Sequence, residues 1–357
     1  FNSIMFSNIY TLAISGLGAP YFPIAGKLNA DTAEAEVELG VREVVTFRNL
    51  FMYVPTNTTT NAVTILLRKN QANTTLSVSY NAAQTGIKEN TSNFVTNATT
   101  DEVNYKAVLD GLELGTITIA VAGVGVGTGI AGACTEIVSA RGPLSPTATT
   151  TYNAMNGQML ETTTEANVKF SVGQALTSSK LLVYVSVISG SSISAVFRSR
   201  VNGVNGNQSV TYTDGQTGQK EDASNSDVLA SGDDFNFSTT LSGLITITVE
   251  CQSCHMTNPG AFFPLMASST DGVGVDFNTT TYAGVAGDLA FTTTEANTQI
   301  YPRFTFTARQ LGSYVSANTI ATSATTVTLR DNGADSAVTV SYNAAQTGSK
   351  ADAVNTT

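Results

Sequence analysis

The residues best suited to chemistry stand together in Cys251-Gln252-Ser253-Cys254-His255, which holds two of the three cysteines and the single histidine of the chain and is followed by Met256. C-x-x-C-H is the spacing that attaches a c-type haem, because two thioethers and one axial imidazole need those intervals. With no second histidine, Met256 or another methionine would have to complete the axial pair. The competing reading is a pair of linker thiols, free or joined in a local disulfide. It is favoured because the motif follows the last strand of a repeat and has no like residues at the expected counterpart, Gly123–Gly127. No cofactor is therefore expected, with Cys251, Cys254 and His255 kept as the haem alternative. Zinc finds only Cys134 as a further thiol. Calcium finds Asp/Asn-rich turns but no D-x-[DN]-x-[DN]-G loop, so the metal question stays open.

Other catalytic constellations fare worse. A Ser-His-Asp triad would have to be built on His255, and nothing resembles G-x-S-x-G. The carboxylate pairs Glu221-Asp222 and Asp233-Asp234 could in principle serve glycoside hydrolysis. Both lie in turns, where Asp ordinarily satisfies backbone donors. The expectation is a protein without enzymatic activity and without catalytic residues. Gly123–Gly132 holds a loose G-x-G-x-x-G string with no helix after it, and reads as a flexible linker.

The elements that must position these residues repeat. Val-Ser-Tyr-Asn-Ala-Ala-Gln-Thr-Gly occurs at Val78–Gly86 and again at Val340–Gly348, with a degenerate copy at Val210–Gly218. Gln84, Gln216 and Gln346 are spaced by about 130 positions, the period of a tandemly duplicated domain rather than of a solenoid. Thr-Ala-Glu-Ala-Glu at Thr32–Glu36 returns as Thr-Thr-Glu-Ala-Asn at Thr163–Asn167 and Thr293–Asn297. A turn opened by Arg68 returns at Arg200 and Arg330, the last two with Asn-Gly, a hairpin signal. Period-two segments at Phe47–Val54, Ala62–Leu67, Leu76–Tyr80, Glu102–Leu109 and Thr116–Val121 predict strands, and no segment shows a capped helical period.

Composition agrees. Of 357 residues 42% are hydrophobic and only 12% charged, with Thr, Val, Asn and Gly filling the difference. A net charge of −10 without a basic run argues against nucleic-acid binding, and no apolar run reaches membrane-spanning length. The predicted fold is all-β: three tandem antiparallel β-sandwich, jelly-roll-like domains, the third incomplete at its C-terminus. The divisions are a strand at 1–15, a first repeat at 16–124, a Gly-rich linker at 125–142, a second repeat at 143–256 and a third at 257–357. The apolar alternation Ile4, Phe6, Tyr10, Leu12, Ile14 finds no place in the first copy. Together with Ala19–Ile24, matched to Gly260–Leu265, it reads as the closing strand of a preceding repeat. Either the chain is a window onto a longer array, or this strand completes the third domain of another subunit and builds a head-to-tail fibre.

Pro-Tyr-Phe-Pro, the Thr-Glu-Ala phrase, Arg48-Asn49-Leu50, the turn Leu329–Asp335 and Ala-Gln-Thr-Gly together resemble repeat modules of tailed-bacteriophage virion proteins: head fibres, decoration proteins and tail appendages, often trimeric. The resemblance implies a structural or adhesive role on a virion surface and transfers no catalytic residue. Implied partners are copies of itself, as a trimer or a head-to-tail fibre, other capsid or tail proteins and host surface glycans. Stiff domains on short linkers are expected to project from the particle. The alternatives are an extracellular or cell-surface filament polymerising through the N-terminal strand, and a haem-bearing redox filament.

Overall fold

The computed structural model describes residues 3–15, 20–27, 30–111, 115–128, 134–146, 149–159, 162–190, 194–243, 246–258, 268–269, 280–285, 287–288, 291–300 and 307–356. These are all-β, with several antiparallel sheets and no α-helix. Single 3-10 turns occur at Glu34–Glu36, Glu165–Asn167 and Glu295–Asn297.

The first repeat contains β1 (Ser3–Ser15), β2 (Tyr21–Phe22), β3 (Gly26–Lys27), β4 (Leu39–Gly40), β5 (Val45–Val54), β6 (Thr56–Asn57), β7 (Val63–Lys69), β8 (Ala72–Tyr80), β9 (Gly86–Asn97), β10 (Glu102–Leu109) and β11 (Thr116–Thr128). One sheet runs β3-β1-β11-β5-β9 and the other β2-β10-β7-β8. Their inward residues alternate along each strand and meet in one core that includes Phe47, Leu50, Met52, Leu67, Leu76, Tyr80, Tyr105 and Val124. The β7–β8 turn has Asn70 and Gln71 both at positive φ, the geometry of the tight hairpin predicted there.

The second repeat repeats this order with β12 (Cys134–Leu144), β13 (Thr150–Asn153), β14 (Gly157–Gln158), β15 (Phe170–Ser171), β16 (Leu176–Ser189), β17 (Ser194–Val201), β18 (Val204–Thr213), β19 (Gly218–Leu229), β20 (Asp234–Leu241) and β21 (Thr246–Asn258). Its sheets run β14-β12-β21-β16-β19 and β13-β20-β17-β18 around a second core. In the third repeat β22 (Ser268–Ser269) pairs with β24 (Gly287–Asp288), and β23 (Tyr282–Ala283) with β25 (Phe291–Thr292). There β26 (Arg309–Val315) pairs with β29 (Gly348–Thr356), as β5 does with β9, and β27 (Thr325–Asp331) with β28 (Ala334–Tyr342), as β7 does with β8.

Several expectations change. The described residues of the segment 125–142 are strand rather than linker. Through Thr128 it continues β11, whose Val124 and Val126 lie in the core while Gly123, Gly125 and Gly127 alternate with them. From Cys134 it is β12. The glycines suggested a loop, but the valines between them supply the strand's apolar face. The strand β1 has a place in its own repeat. It lies antiparallel to β11 from Ser3 opposite Val126 to Ser15 opposite Thr116, with Ile4 against Gly125, Phe6 against Gly123, Leu12 against Ile119 and Ile14 against Ile117. Tyr10 falls in the irregularity between Asn8 and Leu12. β12 pairs with β21 in the same way, so each of these strands pairs within its own repeat. Tyr21 corresponds to Tyr152 and Tyr282, each bridged to a residue ten positions on. The match to Gly260–Leu265 therefore fails in register, and those residues lie outside the described ones. The twelve-residue β9 was not anticipated, because its outward polar residues hide the strand period.

Candidate functional site

Two repeated phrases explain each other. Arg68, at the end of β7, reaches back to Glu34 through Nε to Oε1 at 2.6 Å and Nη2 to Oε2 at 2.9 Å. Arg200 meets Glu165 at 2.9 and 3.0 Å, and Arg330 meets Glu295 at 2.7 and 3.4 Å. Each guanidinium also lies over a tyrosine, Tyr21, Tyr152 or Tyr282, at 5.4 to 5.6 Å from the ring centroid. The fork geometry of Arg suits a bidentate carboxylate, so this clamp fixes the 3-10 turn to the hairpin in every repeat.

The Val-Ser-Tyr repeat is a second fastening. Tyr80 Oη donates between the Met52 and Gly86 carbonyls, Tyr212 between those of Val183 and Gly218, and Tyr342 between those of Ser313 and Gly348. Each tyrosine thus ties one sheet to the other, and Gly86 follows at φ 95°, a left-handed value that favours glycine. Gln84, Gln216 and Gln346 close the turn by accepting the N–H of Asn81, Thr213 and Asn343.

A different set of residues joins one repeat to the next. The loop before β5 reaches the second repeat: Arg42 Nε is 2.7 Å from Glu221, and Arg42 Nη2 donates to Gln219 at 3.2 Å. Lys180 Nζ donates to the Arg42 carbonyl at 2.6 Å and meets Glu43 at 3.2 Å. His255 Nδ1 lies 3.3 Å from the same carboxylate. Burial alone would raise the Glu43 pKa, but His255 and then Lys180 hold it down at about 2. Burial lowers the pKa of His255, with Glu43 pulling the other way. Lys180 can reach out because it is a bulge residue at φ 55°, as Asn49 and Gln310 are in the other repeats. The same joint recurs further on: Gly173 of the second repeat sits against the Gln310 side chain, and Tyr314 Oη donates to Asn167 at 3.3 Å. Near the first joint stands an acidic group. Burial, then Asp31 and Glu250 of the second repeat, raises Glu36 to about 7, while burial, Glu102 and Glu34 raise Glu38 to about 7.

The short strands complete the circuit. β12 of the second repeat touches β3 of the first, β22 of the third touches β14 of the second, and β1 of the first touches β24 of the third. The strands β3, β14 and β24 also contact one another pairwise. Lys180, Arg42 and Glu43 were not singled out from the sequence, because only one of the three bulge residues is charged.

The C-x-x-C-H residues are not in a linker. They lie within β21, the central strand of its sheet. Val121 and Val124 of β11 stand where β21 has Cys251 and Cys254, since Tyr53 opposes Val121 as Tyr184 opposes Cys251. Three residues along a strand is an odd step, so the thiols face opposite sides. Cys254 lies in the core, and Cys251 meets Ser139 Oγ at 3.3 Å. Both are free and buried, and burial pushes Cys254 up to about 12. A haem would need both sulfurs on one side, so this geometry does not fit it. Cys134 begins β12. The carboxylate pairs have structural partners as well. Glu221 meets Arg42, Asp222 accepts the Ser209, Ser224 and Asn225 N–H groups, and Asp233 accepts Ala230 N–H and the Asn202 amide. Among the described residues no group of three or more His, Cys, Asp or Glu is placed to hold a metal ion. No protein-family model matches the chain, and no curated protein matches it.

Proposed function

We propose that the chain is a non-enzymatic structural protein of a virion surface, with two jelly-roll repeats and a third that lacks counterparts of β10 and β11 among the described residues, closed around a pseudo-threefold axis. The strand order supports the jelly roll. Taking β1, β2, β5, β7, β8, β9, β10 and β11 as eight strands, one sheet reads first, eighth, third, sixth and the other second, seventh, fourth, fifth. That is the double-sheet arrangement used by viral capsid domains and by lectins.

The observation that carries the reading is the cyclic set of contacts, second repeat on first, third on second and first on third. A heterologous contact whose rotation closes makes a ring rather than a filament. β1 pairs with β11 of its own repeat, so this reading does not call on polymerisation through that strand. The repeated clamps are fastenings, and their residues are engaged with one another rather than presented to a substrate. Partners on this reading are further copies of the chain, other capsid or tail proteins, and host glycans met by outward loops. Mass spectrometry of particles purified from the source should find the chain in many copies per particle. Its absence from particles, with the protein recovered only from cells or medium, would overturn the virion role.

A further inference from the structure

Four neighbouring positions inside the second repeat break the rule of the first. Phe47, Leu67, Leu76 and Val95 pack together in the first core. The positions aligned with them by strand register hold Ser178, Ser199, Gln208 and Asp227. None of these is more than 4% exposed. The third repeat has apolar Leu329 and Val338 at two of the places. The fold therefore does not require polar groups here.

Their arrangement is that of an acyl transfer. The Gln208 carbonyl oxygen accepts the Leu181 N–H at 3.0 Å, which polarises the carbonyl carbon. Gln208 Nε2 donates to Asp227 Oδ2 at 2.9 Å and to Ser178 Oγ at 2.9 Å. The serine hydroxyl thus sits on the amide nitrogen, one bond from the carbon. Asp227 is itself fixed by Ser199 Oγ at 2.6 Å and Asn207 N–H at 2.6 Å. A held nucleophile, a polarised carbonyl and a carboxylate beside the leaving nitrogen are the components of nucleophilic acyl chemistry, and fixed proximity supplies much of the rate.

We propose that Ser178 and Gln208 form an intramolecular ester that bolts β16 of one sheet to β18 of the other. Ser178 Oγ bonds to Gln208 Cδ and the Cδ–Nε2 bond breaks. The hydroxyl proton passes to the hydrogen-bonded Nε2, which Asp227 holds in place, and the nitrogen leaves as ammonia. No oxidant, reductant or other reactant is consumed. Burial keeps water from the ester once it has formed. The bond resists separation of the two sheets, and its chemistry does not depend on the virion role.

Intact mass spectrometry of the full chain, followed by peptide mapping, tests this. The expected mass is about 17 Da below that of the sequence, the loss of one ammonia, with a branched peptide joining the Ser178 and Gln208 segments. Ser178→Ala and Gln208→Leu should restore the full mass, and Leu76 in the first repeat shows that leucine fits the second of these places. Asp227→Asn should slow formation at least tenfold during refolding. A linear peptide carrying intact Gln208 overturns the proposal. So does a loss that survives Ser178→Ala, or one mapped to an Asn-Gly succinimide.

Discussion

Glu43 of the first repeat lies 3.2 Å from Lys180 Nζ of the second, a distance set by the left-handed bulge that aims the lysine outward. The contact links the first two repeats, and the same lysine also holds the Arg42 carbonyl. Both side chains are partly exposed, so the pair alone is worth about 1 kcal/mol or less.

Removing Glu43 does more than break that pair. Glu43→Ala also leaves His255 buried without its carboxylate. The expected result is a loss of about 1–3 kcal/mol and a calorimetric transition that splits as the first two repeats uncouple. One unchanged transition would count against the joint.

The acidic group near this joint gives a pH dependence with a definite sign. Glu36 and Glu38 are raised from 4.5 to about 7, so the folded state binds more protons than the unfolded one between those values. Their contribution is fully present below pH 4.5 and is lost as pH rises through 7. Glu43, held down at about 2, acts oppositely, losing its contribution as pH falls below 4.5. A Glu36→Gln/Glu38→Gln double variant should match the parent melting temperature near pH 4.5 and exceed it at pH 8. Parallel curves across that range would refute the assignment.

The arginine clamps should rank by burial. Arg68 and Glu34 are the most enclosed pair and Arg330 with Glu295 the most open of the three. Arg68→Ala should cost about 3 kcal/mol in urea unfolding, and Arg330→Ala distinctly less because its pair is screened by solvent. The reverse order would show that the clamp is not what secures the 3-10 turn.

The tyrosines that tie the sheets give a more delicate test. Burial raises Tyr80 and Tyr212 well above the ordinary tyrosine range, so both stay protonated and keep donating to their carbonyls. Tyr80→Phe should cost about 1–2 kcal/mol with little change in packing. An unfolding midpoint equal to the parent's would mean that the hydroxyl contributes nothing.

Much of this was legible in the sequence, and the failures share a cause. The β class, the hairpins at Arg68, Arg200 and Arg330 and the repeat period followed from alternation and turn residues. That Arg68 holds Glu34 was not legible: both phrases recur in every copy, so nothing in one sequence couples them. Gly123–Thr128 was misread because glycine outweighed the buried Val124 and Val126 between the glycines. Cys251–His255 looked like a site because its spacing matches a haem motif, but a strand sends Cys251 and Cys254 to opposite faces. The joint at Lys180 depends on a bulge conformation that leaves no mark in residue type. Ser178 and Gln208 lie in β16 and β18 outside the strands predicted from alternation, and only the register against Phe47 and Leu76 reveals the pair.

Closure of the three repeats is the central claim, and small-angle X-ray scattering of the chain tests it most directly. The account predicts a compact particle with a radius of gyration of about 20 Å, the value for a globular chain of this length, and a single-peaked distance distribution. A distinctly larger radius with a long-tailed distribution, as from domains strung in a line, would contradict it.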